Sequence, residues 1–327
     1  MVFNRGYPSM REVSSITFTY GKNNCGIIQS MENYKRLLFI INPNAGIKRR
    51  ENRLSKIIIM FSDYGYETVI CFTEKSGDGT ELVKKHARDD ISLIVCMGGD
   101  GTLNEVIEGC ISIGWDKPIG YIPAGSTNDF ASSLGLPEEP DEAAHRIMTG
   151  RGRRIDTGVF NGRGFVYTAT TGLFSKTSYE TPQAVKNLLG HFAYVMGGIK
   201  DLSEFVPMEM TIEADGVQYE GVYSLVSLCN TYSLGGMMNF EESSVDLSDG
   251  YFELLMIMKP DDILELDSIR RALVERDFST GLVSMVKVKN VKIACKDMPD
   301  WSLDGEFEKG SRVNRFSVRE GSVTIIC

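Results

Sequence analysis

The sequence predicts an α/β first half built on a parallel sheet in three layers, then a mostly antiparallel β half with helical insertions. Three observations carry this. Between residues 35 and 157, short apolar runs alternate with glycine-rich turns and amphipathic stretches. Those runs are apolar at consecutive positions, as strands covered on both faces must be. After about 158 the rhythm changes to hairpin-like segments separated by turn residues.

The elements follow in order. L37-L-F-I-I41 is a first strand, stopped by N42-P-N-A-G46, with a helix expected around 50–64. E67-T-V-I-C-F72 is a second strand and precedes a helix at about 78–90. I91-S-L-I-V-C-M97 is a third, followed by a helix at about 102–112; P-I-G-Y-I-P at 118–123 is a fourth. In the second half, 159–167 and 210–220 read as hairpins, the latter around Asp215-Gly216. Further strands are expected at 223–229, 251–258, 285–295, 315–318 and 323–327, with helices at about 182–204 and 261–277. G150-R-G-R-R154 marks the linker region, placing the boundary at 157/158. Residues 1–34 are polar and aperiodic, and are expected to be a disordered extension.

A chain of 327 residues, 42% hydrophobic, can bury cores for two domains. Its net charge of −9 argues against a nucleic-acid binder, which needs cations spread over an extended face. The seven cysteines are odd in number and form no C-x-x-C, so neither a disulfide framework nor a zinc site is expected, and a reducing cytosol fits. No apolar run is long enough to span a bilayer.

The tetrapeptide G-D-G-T occurs twice, at 77–80 and 99–102. The first copy reads as a helix start, with Asp78 as N-cap and Glu81 reaching back. The second follows the most apolar strand and a glycine pair, which lets backbone N–H groups approach a ligand. The helix start there suits phosphate, at the strand ends where open parallel sheets bind ligands. Turns at 42–46 and 123–130 end two more strands with small and polar residues, which favours a nucleotide. Asp100 would repel a bare phosphate and is expected to act through Mg2+ or a lysine. No Walker loop, G-x-G-x-x-G after the first strand, or H-R-D is present.

Four motifs in order, N42-P-N-A-G46, G98-G-D-G-T-L-N-E-V106, P-A-G-S-T-N-D-F at 123–130 and L303-D-G-E306, resemble the diacylglycerol kinase catalytic family. The stretches 179–194, 230–236 and 246–251 resemble the soluble Gram-positive type more closely. G-G-D-G-T alone is shared with NAD kinases and phosphofructokinase-like folds. The resemblance implies a phosphofructokinase/NAD-kinase-like ATP domain at 35–157 and a β-sandwich lipid domain at 158–327. Carried over residue by residue, it implies that ATP is lined by Asn42, Pro43, Asn44, Ala45, Gly46, Thr73, Gly99, Asp100, Gly101, Thr102, Leu103, Asn104, Glu105 and Ser126. Asp304 matches the general base, although Asp304-Gly305 is otherwise a turn between strands. Glu306 would help hold a metal or Asp304. Asp246, Asp249 and the Tyr251 carbonyl match a structural Mg2+ site, in addition to the Mg2+ carried with ATP. Asp129 and Asp156 match acidic positions in a network with Asp100.

The implied activity is phosphorylation of diacylglycerol to phosphatidic acid by a cytoplasmic protein in transient peripheral contact with the inner membrane face; a homodimer is compatible with it. Candidate membrane contacts are the basic stretches 48–53 and 151–154 and the apolar Met237, Met238 and Phe240. Relatives often carry lysine near 194–198, where this chain has M196-G-G198. Another lipid substrate, a non-catalytic nucleotide and lipid module, and an NAD kinase stay open at this point.

Overall fold

The fold is that of a computed structural model, which describes residues 15–18, 35–45, 51–125, 128–172, 207–231, 233–234, 238–239 and 246–327. Strand β1 (Ser15–Phe18) lies within the segment expected to be disordered and pairs antiparallel with the strand Tyr66–Phe72. The first half continues through β2 (Lys35–Ile41), α1 (Glu51–Asp63), β3 (Tyr66–Phe72), α2 (Asp78–His86) and β4 (Ile91–Gly98). It ends with α3 (Asp100–Ser112), β5 (Ile119–Pro123), α4 (Asp129–Ser133) and α5 (Pro140–Thr149).

Strands β3, β2, β4 and β5 are neighbours in that order and run parallel. Leu37, Leu38, Phe39 and Ile40 are all fully buried, which explains why the run is apolar at every position. On one face Leu38, Ile40, Ile94 and Cys96 meet Val83 of α2 and Leu103, Val106 and Ile107 of α3. On the other, Leu37, Phe39, Leu93 and Val95 meet Ile57 and Phe61 of α1 and Ala144 and Ile147 of α5. These are the three layers. The order places β2 between β3 and β4, so the connections leaving β2 and β4 diverge, as at a ligand-binding switch point.

The second half comprises β6 (Gly152–Phe160), β7 (Arg163–Phe165), β8 (Thr168–Gly172), β9 (Met208–Ala214), β10 (Val217–Cys229), β11 (Ser233–Leu234) and β12 (Met238–Asn239). Then come β13 (Phe252–Met258), α6 (Ile263–Glu275), β14 (Val283–Val288), β15 (Asn290–Cys295), β16 (Asp300–Leu303), β17 (Glu306–Lys309) and β18 (Val313–Ile326). Its strands pair antiparallel around a core in which Phe160, Trp301 and Phe316 pack ring to ring at 4.9–5.4 Å. The β9–β10 hairpin turns at Asp215 (φ 45) and Gly216 (φ 87), as its Asp-Gly pair predicts.

Two strand expectations change. The segment 285–295 is two strands: β14 pairs with β13, and β15 lies between β9 and β18. The segments 315–318 and 323–327 are one strand, β18, whose pairing with β6 shifts register between Arg319 and Val323. The expected boundary at 157/158 falls inside β6. The end of β18 pairs parallel with β5, Ile325 beside Ile119, so one sheet runs through both halves. Among the described residues no helix is long and apolar enough to cross a membrane, and the cysteines are unpaired. The helix expected at 182–204 lies outside the described residues.

Candidate active site

Helix α3 starts at the switch point, and the loops around it are tied to its first turns. Asn42, directly after β2, donates from Nδ2 to Thr102 Oγ1 at 2.9 Å, and its Oδ1 accepts the Asn44 N–H at 2.9 Å. Pro43, Asn44 and Ala45 form the turn beside it. The β5 loop comes against Gly99: a Cβ on Gly125 would lie 2.7 Å from Gly99 Cα. Asn128, in the left-handed region at φ 52, holds that loop by accepting the Gly125 N–H at 2.8 Å. Thr73, buried at the end of β3, donates its N–H to the Ile41 carbonyl at 3.0 Å. Leu103 and Asn104 are buried on α3. No side chain caps α3, so its first-turn amides are not claimed by a cap. With the helix dipole behind them, they suit phosphate oxygens.

The other G-D-G-T copy is built differently. The expected cap of Asp78 with Glu81 does not form. The N-cap is Gly77 (φ 89), without a side-chain bond. Asp78 instead accepts the Glu74 and Lys75 N–H groups at 2.8 and 3.0 Å, and Glu81 pairs with Lys84. The cap comes from α3. Glu105 Oε1 accepts the Gly77 N–H at 2.7 Å and Ser76 Oγ at 3.2 Å. Glu105 Oε2 accepts the Gly79 N–H at 2.9 Å, and Thr80 Oγ1 donates to the Glu105 carbonyl at 2.8 Å. The approach is close enough that a Cβ on Gly79 would sit 2.8 Å from Glu105 Cβ. The first copy closes its helix start on Glu105, while the N-cap of the second, Gly99, has no side chain to cap with.

The hairpin β16–β17 reaches the same helix. Its turn is Asp304 (φ 49) and Gly305 (φ 84). A Cβ on Gly101 would lie 3.1 Å from Glu306 Oε1, and Glu306 Oε2 is 3.4 Å from Arg163 Nη2. Arg163 also pairs with Glu308. Asp304 is 3% exposed; Oδ2 accepts the Val166 N–H at 2.7 Å, and Oδ1 accepts those of Tyr167 and Thr168 at 2.9 and 3.0 Å. Burial pushes its carboxyl up to about 6 despite these three donors, which favour the charged form. Asp100, at the start of α3, accepts from Tyr121 Oη at 3.3 Å. Asp100 and Glu306 bring two hard-oxygen donors to the α3 N-terminus, a set that fits the Mg2+ carried by a nucleotide.

In the loop 246–251, which the resemblance assigns to a second Mg2+, the two carboxylates carry contacts of their own. Asp246 Oδ1 accepts Arg153 Nη2 at 3.0 Å and the Ser248 N–H at 3.1 Å. Asp249 holds Lys287 Nζ at 2.6 Å and the Tyr251 N–H at 3.0 Å, and the Tyr251 ring lies under Lys289 Nζ. Each of these carboxylates faces a basic group, as Glu306 faces Arg163 beside the α3 start. Asp156, expected in a network with Asp100, instead accepts the Gly250 and Gly321 N–H groups, both at 2.6 Å.

Two strand positions beyond that loop, Glu253 is 2% exposed and neither carboxylate oxygen has a hydrogen-bond partner. Burial pushes it up to about 8, against the pull of Lys287. The folded protein therefore holds a proton that the unfolded chain loses in its ordinary range, and this stability is lost as pH rises through about 8. Glu253→Gln is expected to raise Tm at pH 8.5 by several degrees, with the difference vanishing below the ordinary glutamate range. Equal Tm values across a pH 4–9 series would refute this.

Of the sequence-derived site residues, Gly46 and Ser126 lie outside the described residues, as do 48–50, Met196, Met237, Phe240 and the side chains of Asp129 and Met238. Of the rest of the nucleotide set, Asn42 bonds the first turn of α3, residues 99–105 form its start and second turn, and Thr73 follows β3 with its N–H on Ile41. Asn128 and Arg163 were not singled out in the sequence. An asparagine before Asp-Phe is a legible left-handed turn signal, whereas nothing around Arg163 points to Glu306.

The chain is similar to known proteins over most of its length. Residues 36–160 match the family described as diacylglycerol kinase catalytic domain, and residues 169–327 match the YegS C-terminal NAD kinase beta sandwich-like domain. A diacylglycerol kinase of Bacillus subtilis (strain 168) is 35% identical over 277 residues, covering 84% of this chain and 90% of that protein. One from Staphylococcus carnosus (strain TM300) is 33% identical over 276 residues, covering 84% and 89%. The crystal structure of a diacylglycerol kinase from Bacillus anthracis str. Sterne superimposes with a TM-score of 0.74 at 23% identity, covering 90% of this chain and 97% of that one.

Proposed function

The chain belongs to the diacylglycerol kinase family, and from that premise we propose that it transfers the γ-phosphate of ATP to the free hydroxyl of diacylglycerol, forming phosphatidic acid. The observation that supports this best is the meeting of the open α3 start with the Asp304–Glu306 hairpin, through Gly101 and Glu306. The first turn of α3 and the loops after β2 and β5 bind and orient the triphosphate. Asp100 and Glu306 would hold the Mg2+ that accompanies ATP, which when bound would neutralise phosphate charge. The lipid hydroxyl oxygen bonds to the γ-phosphorus, the bond to the β–γ bridging oxygen breaks, and ADP leaves. The hydroxyl proton passes to Asp304, whose carboxyl near 6 is ionised at neutral pH and still basic enough to accept it. Diacylglycerol resides in a bilayer, so turnover requires transient contact with its surface. Arg151 and Arg154, both exposed, are the basic groups proposed to meet anionic headgroups.

Mixed micelles of diacylglycerol, sphingosine, ceramide and monoacylglycerol with labelled ATP test the assignment. Label is expected in phosphatidic acid at the highest kcat/KM, lost with excess chelator and restored by Mg2+. Label found chiefly in another lipid overturns the substrate assignment; no transfer to any of them overturns the kinase reading.

A further inference from the structure

All four residues of the 77–80 segment serve the helix that carries the other G-D-G-T. Gly77 and Gly79 give their N–H groups to Glu105, Thr80 bonds the Glu105 carbonyl, and Asp78 folds the preceding turn so that these groups converge. Where α2 and α3 lie side by side, Gly109 supplies the clearance; a Cβ there would lie 2.8 Å from Val83 and 3.0 Å from the Thr80 carbonyl. Glu105 stands in the second turn of α3, one turn after Thr102, which holds the Asn42 loop. The loop it grips leaves β3, on the far side of β2 from α3's own strand. Glu105 thus ties together two strand ends that flank the switch point.

We propose that Glu105 is a positioning residue for ATP: by bracketing the 77–80 segment it fixes where the open end of α3 points, and it acts on the nucleotide through that segment. The proposal rests on the nucleotide site assigned above. A carboxylate accepts at both oxygens, as this geometry requires. A glutamine presents an NH2 to one of the backbone donors, and the bracket opens on one side. Thr80, which faces Glu105 and lies outside the loops assigned to ATP, reports on the bracket independently.

The test compares Glu105→Gln, Thr80→Val, Thr80→Ser and the double variant Thr80→Val/Glu105→Gln. Three readouts are taken: Kd for ATP by displacement of a fluorescent nucleotide, KM and kcat in the lipid assay, and Tm. Both Glu105→Gln and Thr80→Val are expected to weaken ATP binding, by about tenfold and about threefold. The loss should fall mainly on KM for ATP, and Thr80→Ser should recover binding. The double variant should fall short of the product of the single effects, because both open one bracket. A silent Thr80→Val beside a large kcat loss in Glu105→Gln would show that Glu105 touches the nucleotide directly. Lowered Tm in both with unchanged Kd would reduce the bracket to packing. If the wild type binds ATP yet phosphorylates no lipid, the kinase reading fails while the Kd comparison still decides this one.

Discussion

Asp304→Asn is expected to lower kcat by about 10²–10⁴-fold, the usual contribution of a positioned general base, while the protein still binds ATP. The reasons can be separated. Asparagine tolerates the left-handed backbone that Asp304 adopts at φ 49, so the turn itself is not strained. It cannot accept a proton from the lipid hydroxyl. It also has one acceptor oxygen where three backbone donors now converge on two. At least one N–H loses its partner, at about 1–3 kcal/mol, so Tm should fall as well. The pH profile separates catalysis from support. With the wild-type carboxyl pushed up to about 6, activity should rise with pH through that value as the base ionises. The variant's residual activity should lack this limb. If the limb survives and activity merely follows the folded fraction, Asp304 is a turn anchor and the base lies elsewhere.

Gly125→Ala is expected to weaken ATP binding by more than about tenfold, with a stability loss of about 1–3 kcal/mol from overpacking. Its Cβ would lie 2.7 Å from Gly99 Cα and 2.7 Å from Asn128 Oδ1. One obstacle is backbone and the other is the side chain that holds the loop, so relief requires the β4 and β5 strand ends to move apart. Gly101→Ala is the comparison. There the added carbon meets only the Glu306 carboxylate at 3.1 Å, which can swing away. It should therefore cost less stability and affect turnover more than nucleotide affinity. Isothermal titration with ATP and thermal melts of both variants check this; Gly125→Ala binding within twofold of wild type would remove the loop contact from the site.

The parallel sheet was legible because fully buried strands must be apolar throughout; the run at 37–41 meets that condition without interruption, and 91–97 meets it but for Ser92. The Asp215-Gly216 hairpin was legible from its turn pair. The β16–β17 hairpin was harder to see. D-W-S-L and E-F-E-K are short strands that carry charges, and Asp304-Gly305 read as a turn between strands, with chemistry entering only through the family resemblance. The structure shows that turn, with the carboxylate aimed inward. The β18 strand was divided because Glu320-Gly321-Ser322 looks like a loop. Asp156, by accepting the Gly321 N–H, holds this irregular stretch within the pairing with β6. Least legible was the role of Glu105. Local spacing offered Glu81 as the partner for the first Gly-Asp-Gly-Thr, and only tertiary packing brings a better acceptor from the next helix.

The pairing of Ile325 with Ile119 also has a biosynthetic meaning. A ribosome delivers β5 long before β18, so the open flank of the nascent parallel sheet has no native neighbour until the intervening strands have been made. Such a flank is the kind of template that other chains can recruit. The emerging protein should therefore need shielding late in translation. Stalled chains released before residue 313 should aggregate, whereas chains extended past 326 should not.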